Sequence, residues 1–359
     1  MHFGAWAIAN RALPLINVAP ILHGFAYSGY QANQSPLDRT YPNTAELAHD
    51  LKLLKKLTNR IRLYTSIENS EVVALADKEG ISVIGGAWVS QDTDANEREI
   101  AALKEKINHY DNIEAAIVGN EVLLRNDLSI EDLIVYLDDM REATDRPIST
   151  AEPWHIWLKN PELVKHVDYI AVHLLPYHEG VPIEQASSYA VERYQELMKA
   201  YPRKRIVIAE IGWPSSGPAI GAAIANEVNQ ARFVREFLAK NEAEHYEYYL
   251  MEAIDQPWKV NIEGWAGAYW GMFDANRVEK YSLQGSVAKD GRWAEKAIWA
   301  TLIALFPILF IGWKFRSWGI GGVISMAILL QACIKTLVIA WKLPGDYYYT
   351  LRDFIILGG

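Results

Sequence analysis

The sequence predicts a (β/α)8 barrel followed by two transmembrane helices. In the first 296 residues, eight short apolar runs alternate with amphipathic helical stretches, and this segment has the usual length of such a barrel. A doubly wound open sheet is the competing class, but no Gly-rich phosphate-binding turn follows any of the runs. Two uncharged runs near the C-terminus predict the membrane helices.

The predicted strands are rich in β-branched and aromatic residues and are bounded by polar turns. They span residues 19–28, 59–65, 81–88, 113–120, 146–153, 168–175, 205–212 and 246–254. Amphipathic helices are expected between the strands, and the first of them has the clearest pattern. There Asn43 and Glu46 have the spacing of a capping box, and Leu47, Leu51 and Leu54 repeat at helical spacing.

Each C-terminal run, residues 297–313 and 318–334, contains 17 uncharged residues, which is about the minimum for crossing a bilayer. Tryptophans, which prefer the level of the lipid headgroups, fall at or near the ends of these segments. They are Trp299, Trp313, Trp318 and Trp341. A pair of buried core helices is the alternative, and both Pro307 in the first run and Lys335 after the second favour it.

The charges around these runs predict a topology. Lys314 and Arg316 lie in the short connection, so the positive-inside rule places the connection in the cytoplasm and the barrel in the periplasm. Four segments are therefore expected in the chain. They are an N-terminal arm (1–18), a catalytic barrel (19–296), two transmembrane helices (297–341) and a truncated C-terminal tail (342–359), as in a fragment of a longer membrane protein.

Composition and charge limit the classes of function. Half of the 359 residues are apolar, which is enough for a large core, and the net charge of -9 is spread without a basic block. A nucleic-acid partner is therefore not expected. Cys333 is the single cysteine, so neither an internal disulfide nor a metal site of several thiolates can form, and no metal or cofactor is predicted. The 13 Trp and 19 Tyr are consistent with binding to sugar rings.

Chemistry in such a barrel is expected where the strands end. Glu121 follows the fourth predicted strand and Glu210 lies in the seventh, so the two carboxylates face each other across the barrel mouth. If apolar surroundings keep one protonated and hydrogen-bond donors keep the other ionised, the pair suits glycosidic cleavage. Capping or ion-pair roles are the alternative for both. The candidate substrate-binding residues are Tyr27, Arg62, Tyr64, Asn120, His173, Tyr177, Trp213, Glu252, Lys259, Glu263, Tyr269 and Phe273.

Each of these candidates also has a structural alternative. Aromatic residues at a barrel mouth are nearly as often part of the core as they are sugar platforms. His173 either hydrogen-bonds the nucleophile or fills the barrel. Glu252, Lys259 and Glu263 are expected to form a charged network beside the site, for which a structural ion pair is the default interpretation.

Two motifs carry a family resemblance. The run KRIVIAEIGWPSSG (204–217) resembles the nucleophile signature of glycoside hydrolase family 17, the β-1,3-glucanase family, and VGNE (118–121) resembles its acid/base strand. Further matches are HGFAYS, RLY (62–64), LPY (175–177), DQPWK (255–259) and GAYWGMFD (267–274). The resemblance implies a retaining enzyme acting on β-1,3-glucan, with Glu121 as general acid/base and Glu210 as nucleophile.

The chain also departs from the family pattern. His173 and Leu175 stand where plant members have a more polar and aromatic segment, and DQPWK replaces a more acidic motif. The membrane hairpin resembles bacterial members, some of which are glucanosyltransferases joined to a membrane glycosyltransferase module. A β-1,3-glucanosyltransferase is therefore expected, with glucan oligosaccharides or polysaccharides, the membrane and such a module as partners. A β-1,3-glucan hydrolase and a non-catalytic, membrane-tethered glucan-binding barrel remain as alternatives.

Overall fold

The computed structural model describes residues 2–288, 293–314 and 319–340. These residues fall into two compact units, one formed by Pro14–Val287 and the other by residues 1–13 together with residues from 288 onward. The predicted C-terminal tail lies outside the described residues. The candidate site lies in the first unit.

Eight parallel strands of the first unit close into a barrel, which confirms the predicted fold class. The strands are β1 (Phe25–Ala26), β2 (Arg60–Arg62), β3 (Ser82–Ala87), β4 (Ile113–Asn120), β5 (Ile148–Pro153), β6 (Tyr169–Leu174), β7 (Arg205–Ile211) and β8 (Glu247–Leu250). Each strand pairs with the next, and β8 pairs with β1. The short strands Leu13–Pro14 and Ser286–Val287 form a separate two-stranded sheet.

Helices connect the strands as the periodicity predicts. They are α1 (Thr44–Leu54), α2 (Val72–Lys78), α3 (Thr93–His109), α4 (Ile130–Ala143), α5 (Trp154–Lys159), α6 (Ile183–Ala200), α7 (Glu227–Glu244) and α8 (Val260–Glu263). Short 3-10 helices occur at Leu163–His166, Pro257–Lys259 and Trp265–Ala268. The capping box predicted for α1 is present, because the Asn43 side chain accepts from the backbone of Glu46 and the Glu46 side chain accepts from the backbone of Asn43.

The barrel interior is filled by small and aromatic side chains from alternate strand positions. Tyr169 and Ala171 of β6 and Val207 and Ala209 of β7 belong to one buried cluster. Successive residues of a strand point to opposite faces, so His173 continues the inward-facing series of Tyr169 and Ala171 towards the mouth. Because of this alternation, His173 lies at the end of the barrel where the candidate carboxylates are located.

The second unit contains helices at His2–Ala9, Trp293–Lys314 and Gly319–Ala340. Two of them coincide with the predicted membrane segments. Within the described residues, however, no helix has the combination of length and apolarity that a membrane span requires. The predicted transmembrane hairpin is therefore not supported.

Candidate active site

A cavity of about 910 Å³ opens at the C-terminal ends of the barrel strands, which is the face where this fold places chemistry. Eight of the predicted site residues line it, including both carboxylates. They are Tyr27, Tyr64, Asn120, Glu121, His173, Glu210, Lys259 and Glu263. Arg62 and Glu252 are fully buried and contact residues of this lining.

A sharp backbone turn brings Glu121 into the cavity. Gly119 has φ +81° and Glu121 has φ +56°, so the chain leaves β4 through two left-handed residues. Any side chain at position 119 would place its Cβ 2.5 Å from the Val122 Cγ2 atom, so glycine is required there. The Glu121 amide donates to the carbonyl of Ala151 at the end of β5 (2.7 Å), which ties the turn to the neighbouring strand.

An extra residue in β7 sets the position of Glu210. Towards β6, Ile208 pairs with Val172 but Glu210 pairs with His173, so Ala209 is not matched. The same irregularity appears towards β8, where Ile208 pairs with Tyr248 and Ile211 with Leu250. Such bulges bend a strand and redirect the following side chain, and they are frequent next to active sites. Here the bulge precedes the residue that the sequence predicts as nucleophile.

His173 lies between the two carboxylates. Its Nδ1 atom is 2.8 Å from Glu121 Oε1 and 3.6 Å from Glu210 Oε2. One oxygen of Glu121 and one of Glu210 lie within 4.8 Å of each other. Carboxyl groups about 5 to 5.5 Å apart are typical of retaining glycosidases, whereas inverting enzymes need about 6.5 to 9.5 Å. The distance between these two oxygens is closer to the first spacing than to the second.

Arg62 holds Glu210 in its ionised form. Its Nη1 atom lies 2.6 Å from Glu210 Oε1, and its Nη2 atom donates to the side-chain oxygen of Asn120. Burial would raise the pKa of Glu210, but the positive charges of His173 and Arg62 outweigh it and lower the pKa below its ordinary value. An ionised carboxylate at this position is suited to nucleophilic attack. Glu121, His173 and Glu210 also have the spacing of a cation site, although Arg62 already neutralises charge there.

The predicted charged network is present beside this pair. Lys259 Nζ donates to both oxygens of Glu252, at 3.0 and 3.1 Å, and both side chains are buried. Burial raises the pKa of Glu252 to about 7, although the ammonium of Lys259 acts in the opposite direction. Lys259 also lines the cavity, where its positive charge lies near both Glu210 and Glu263.

Four predicted aromatic candidates do not line the cavity. Tyr177 and Trp213 are fully buried and their ring centroids are 5.5 Å apart, while Trp213 also packs against Phe233 of α7. Phe273 is buried, and Tyr269 is half-buried against Trp265. For these rings the structural alternative is the one observed, because the loops after β6, β7 and β8 fold over the barrel and need apolar contacts of their own.

Other aromatic residues, which are not among the candidate substrate-binding residues, also line the cavity. They are Tyr30, Tyr41, Trp88, Trp154 and Trp258. The ring centroid of Tyr30 lies 6.2 Å from that of Tyr41 and 5.6 Å from that of Trp258. Tyr30 lies three residues after Tyr27, and Trp258 lies inside the DQPWK motif, so the sequence contained a signal for both.

Comparison with known proteins identifies the family. The sequence profile of the BtgE/BtgC glycoside hydrolase domain matches residues 24–271, which include the whole barrel except part of the last loops. The chain belongs to this glycoside hydrolase family. The match confirms the resemblance to the glycoside hydrolases, whereas nothing in the comparisons supports the narrower bacterial, membrane-attached type.

Two fungal proteins are among those similar to this chain. A probable glucan endo-1,3-beta-glucosidase of Aspergillus flavus is 30% identical over 290 residues, which cover 70% of this chain and 42% of that protein. A glucan 1,3-beta-glucosidase of Schizosaccharomyces pombe is 28% identical over 268 residues, which cover 68% of this chain and 83% of that protein. The chain thus matches well under half of the length of the Aspergillus flavus relative.

Solved structures share the fold. The glycoside hydrolase family 17 β-1,3-glucanosyltransferase of Rhizomucor miehei superposes with a TM-score of 0.65 at 24% identity, covering 74% of this chain and 98% of that one. An endo-laminarinase from Formosa superposes with a TM-score of 0.62 at 18% identity, covering 72% of this chain and 85% of that one. At these identities the likeness establishes the barrel architecture.

Proposed function

We propose that the protein is a retaining enzyme that cleaves β-1,3-glucan and transfers the released chain to another glucan. The observation that carries this proposal is the pair of carboxylates at the barrel mouth, with oxygens within 4.8 Å and His173 between them. The relatives named as glucan 1,3-beta-glucosidases and the fold neighbour named as a β-1,3-glucanosyltransferase support the choice of substrate.

The geometry assigns a role to each carboxylate in a double displacement. Glu210, ionised beside Arg62, attacks the anomeric carbon, and the bond from this carbon to the leaving oxygen breaks as Glu121 gives that oxygen its proton. The sugar is then bound to Glu210 as a glycosyl ester. Glu121, now ionised, removes the proton from an incoming hydroxyl, whose oxygen displaces Glu210. Two inversions leave the β-configuration unchanged.

The incoming hydroxyl decides between transfer and hydrolysis. A cavity of about 910 Å³ lies near the upper end of the range for small-ligand sites, so it accommodates several sugar units at once. Aromatic rings such as Tyr30, Tyr41 and Trp258 on its lining suit the flat faces of glucose. An acceptor glucan held on such rings competes with water for the glycosyl ester, and we therefore favour transfer.

Incubation of the purified protein with laminaripentaose tests the proposal. The expected products include chains longer than the substrate, and proton NMR at early times shows that the newly formed or released anomeric centre is β. Shorter products alone would indicate the β-1,3-glucan hydrolase, and a first-formed α-anomer would contradict the mechanism. Unchanged substrate together with measurable binding would establish the non-catalytic glucan-binding barrel.

The location of the barrel is a further part of the proposal. A polymeric glucan is met outside the cytoplasm, so we propose that the barrel is in the periplasm or otherwise outside the cytoplasm. Protease added to intact spheroplasts of the expressing cells should degrade the barrel. Protection of the folded barrel until the cells are lysed would contradict this location.

A further inference from the structure

Glu152 is a fully buried carboxylate that the proposed chemistry does not use. It lies in β5, where it pairs with Val172 of β6, one residue before the pair of Pro153 with His173. Within the described residues no lysine or arginine forms an ion pair with it. Taking a carboxylate out of water without a cation is costly unless hydrogen-bond donors replace the water.

The donors that replace water belong to the turn that carries Glu121. Glu152 Oε1 accepts from the amide of Leu123 (2.7 Å), and Oε2 accepts from the amide of Leu124 (3.3 Å). The carbonyl of Glu121 accepts from the amide of Arg125 (2.9 Å), so residues 121–125 form one helical turn. The first amides of such a turn have no partner within it. Glu152 therefore caps this turn from the neighbouring strand, in the manner of an N-cap side chain.

We propose that Glu152 is a positioning residue that fixes the carboxylate of Glu121 for proton transfer to the leaving oxygen. The proposal rests on the proposed function of Glu121 as acid/base. The turn is attached to β5 at two points, since the Glu121 amide donates to the carbonyl of Ala151 and the next amides donate to Glu152. Glu121 has a left-handed backbone, which persists only where its surroundings hold it. Loss of the cap releases that constraint while Glu210, Arg62 and His173 stay in place.

Leaving-group dependence distinguishes positioning of the acid from general damage. A natural glucan needs a proton on its leaving oxygen, whereas a dinitrophenyl β-laminaribioside has a leaving group that departs without one. Glu152→Gln keeps the shape but replaces one acceptor oxygen by an NH2 group that faces an amide donor. We expect kcat/KM for laminaripentaose to fall by about 10- to 100-fold, with a change below about threefold for the dinitrophenyl substrate.

Asp168→Asn is the matched control. Asp168 also accepts from a backbone amide, that of Ile148 (2.8 Å), but at the opposite end of the same two strands. This variant should leave both kcat/KM values within about twofold of the wild type. An equal fall for both substrates in Glu152→Gln, or no fall for either, would overturn the proposal. A wild type inactive on both substrates would instead refute the proposed function.

A measurement on the wild-type chain covers the case in which Glu152→Gln does not fold. The amide protons of Leu123 and Leu124 should exchange slowly with solvent, and their NMR shifts should follow the titration of one nearby group. Burial raises the pKa of Glu152 to about 7, with the amide of Leu123 acting in the opposite direction, so the shifts should change around neutral pH. Fast exchange of these two amides would contradict the cap.

Discussion

Glu210 differs from Glu121 in having the buried guanidinium of Arg62 as a direct partner. The guanidinium is fully buried, lies 2.6 Å from a Glu210 oxygen and also reaches Asn120, so it fixes the side chain as well as its charge. Glu121 instead contacts His173 and faces the cavity, where it is partly exposed. One carboxylate is therefore paired with a buried guanidinium, while the other faces the cavity. Each residue-scale prediction depends on this asymmetry.

Replacement of Glu210 by Gln should abolish turnover. Gln fills the same space but does not form a glycosyl ester, so kcat on laminaripentaose should fall by about 10⁴-fold or more while circular dichroism stays unchanged. Glu247→Gln, at the opposite end of the barrel in the exposed pair with Arg205, is the control and should retain activity. Wild-type activity in Glu210→Gln would exclude this residue as nucleophile.

Replacement of Arg62 by Met should shift the pH profile. The charge of Arg62 is one of the causes that lower the pKa of Glu210, after His173, so its removal should raise that pKa. Activity falls as pH falls through the pKa of the nucleophile, so the acid limb of kcat/KM should move to higher pH. Arg62→Lys should move it less, because the charge remains. An unmoved acid limb in Arg62→Met would show that Arg62 does not set the ionisation of Glu210.

At the scale of elements, a buried ion pair fastens α1 to the segment that follows β8. Arg277 donates from Nε and Nη2 to the two oxygens of Asp50 (2.8 and 2.7 Å), and Asp50 also accepts from the hydroxyl of Tyr27 (3.1 Å). Tyr27 lines the cavity. The ion pair of Arg277 with Asp50 therefore helps to hold Tyr27 in its position on the cavity lining.

Arg277→Met should destabilise the barrel by about 3 to 5 kcal/mol, because it leaves the Asp50 carboxylate buried without its partner. Arg205→Met, which breaks an exposed pair with Glu247, should cost about 1 kcal/mol or less. Urea unfolding followed by tryptophan fluorescence measures both values. Similar losses in the two variants would contradict the structural role of the Asp50 pair.

Sequence periodicity predicted the elements better than the side chains that form the site. All eight strands and the capping box of α1 follow from local patterns, because alternation and capping depend on residues close in sequence. The carboxylate pair was also predictable from the ends of strands β4 and β7. Tyr177 and Trp213 do not line the cavity, because proximity to a motif does not reveal whether a loop folds its ring inward.

Two contacts at the site join residues that are far apart in the sequence and could not be predicted from it. The cap from Glu152 to Leu123 joins residues 29 positions apart, and the contact of Arg62 with Glu210 joins residues 148 positions apart. Neither follows from spacing along the chain. Both depend on the register between neighbouring strands and on the bulge at Ala209, which only the folded barrel defines.

At the scale of the whole molecule, buried carboxyl groups predict how stability varies with pH. Burial raises the pKa of Glu152 and Glu252 to about 7 and that of Asp255 to about 6. A folded pKa above the unfolded one means that the native state binds more protons, so stability is lost as pH rises through the folded pKa. His23 and His178, whose pKa values are lowered by burial from the ordinary value of about 6.5, act in the opposite direction, because their contribution to stability is lost as pH falls through the lowered pKa.

The effect of the three carboxyl groups on stability should be larger than that of the two histidines. The free energy of unfolding should therefore be lower at about pH 8 than at about pH 5. Urea unfolding of the whole chain at both pH values measures the difference. Asp255→Asn should reduce the difference, since the variant has no carboxyl group at this position. A free energy that rises from pH 5 to pH 8, or an unchanged difference in Asp255→Asn, would contradict the assigned protonation.

At the same scale, the predicted membrane spans are not supported by the described residues. Apolar runs predicted two membrane spans, and the described residues of these runs are helical, yet no described helix is long and apolar enough to cross a membrane. The barrel prediction was firmer because it combined eight repeating units.

Covalent trapping tests whether Glu210 forms a glycosyl ester with the substrate. A 2-deoxy-2-fluoro-laminaribiosyl fluoride reacts with a retaining nucleophile but slows the release of the ester. Mass spectrometry of the intact protein should show the addition of one fluorinated disaccharide, and peptide mapping should place it on Glu210. No added mass despite turnover of laminaripentaose, or a label on another residue, would contradict the account.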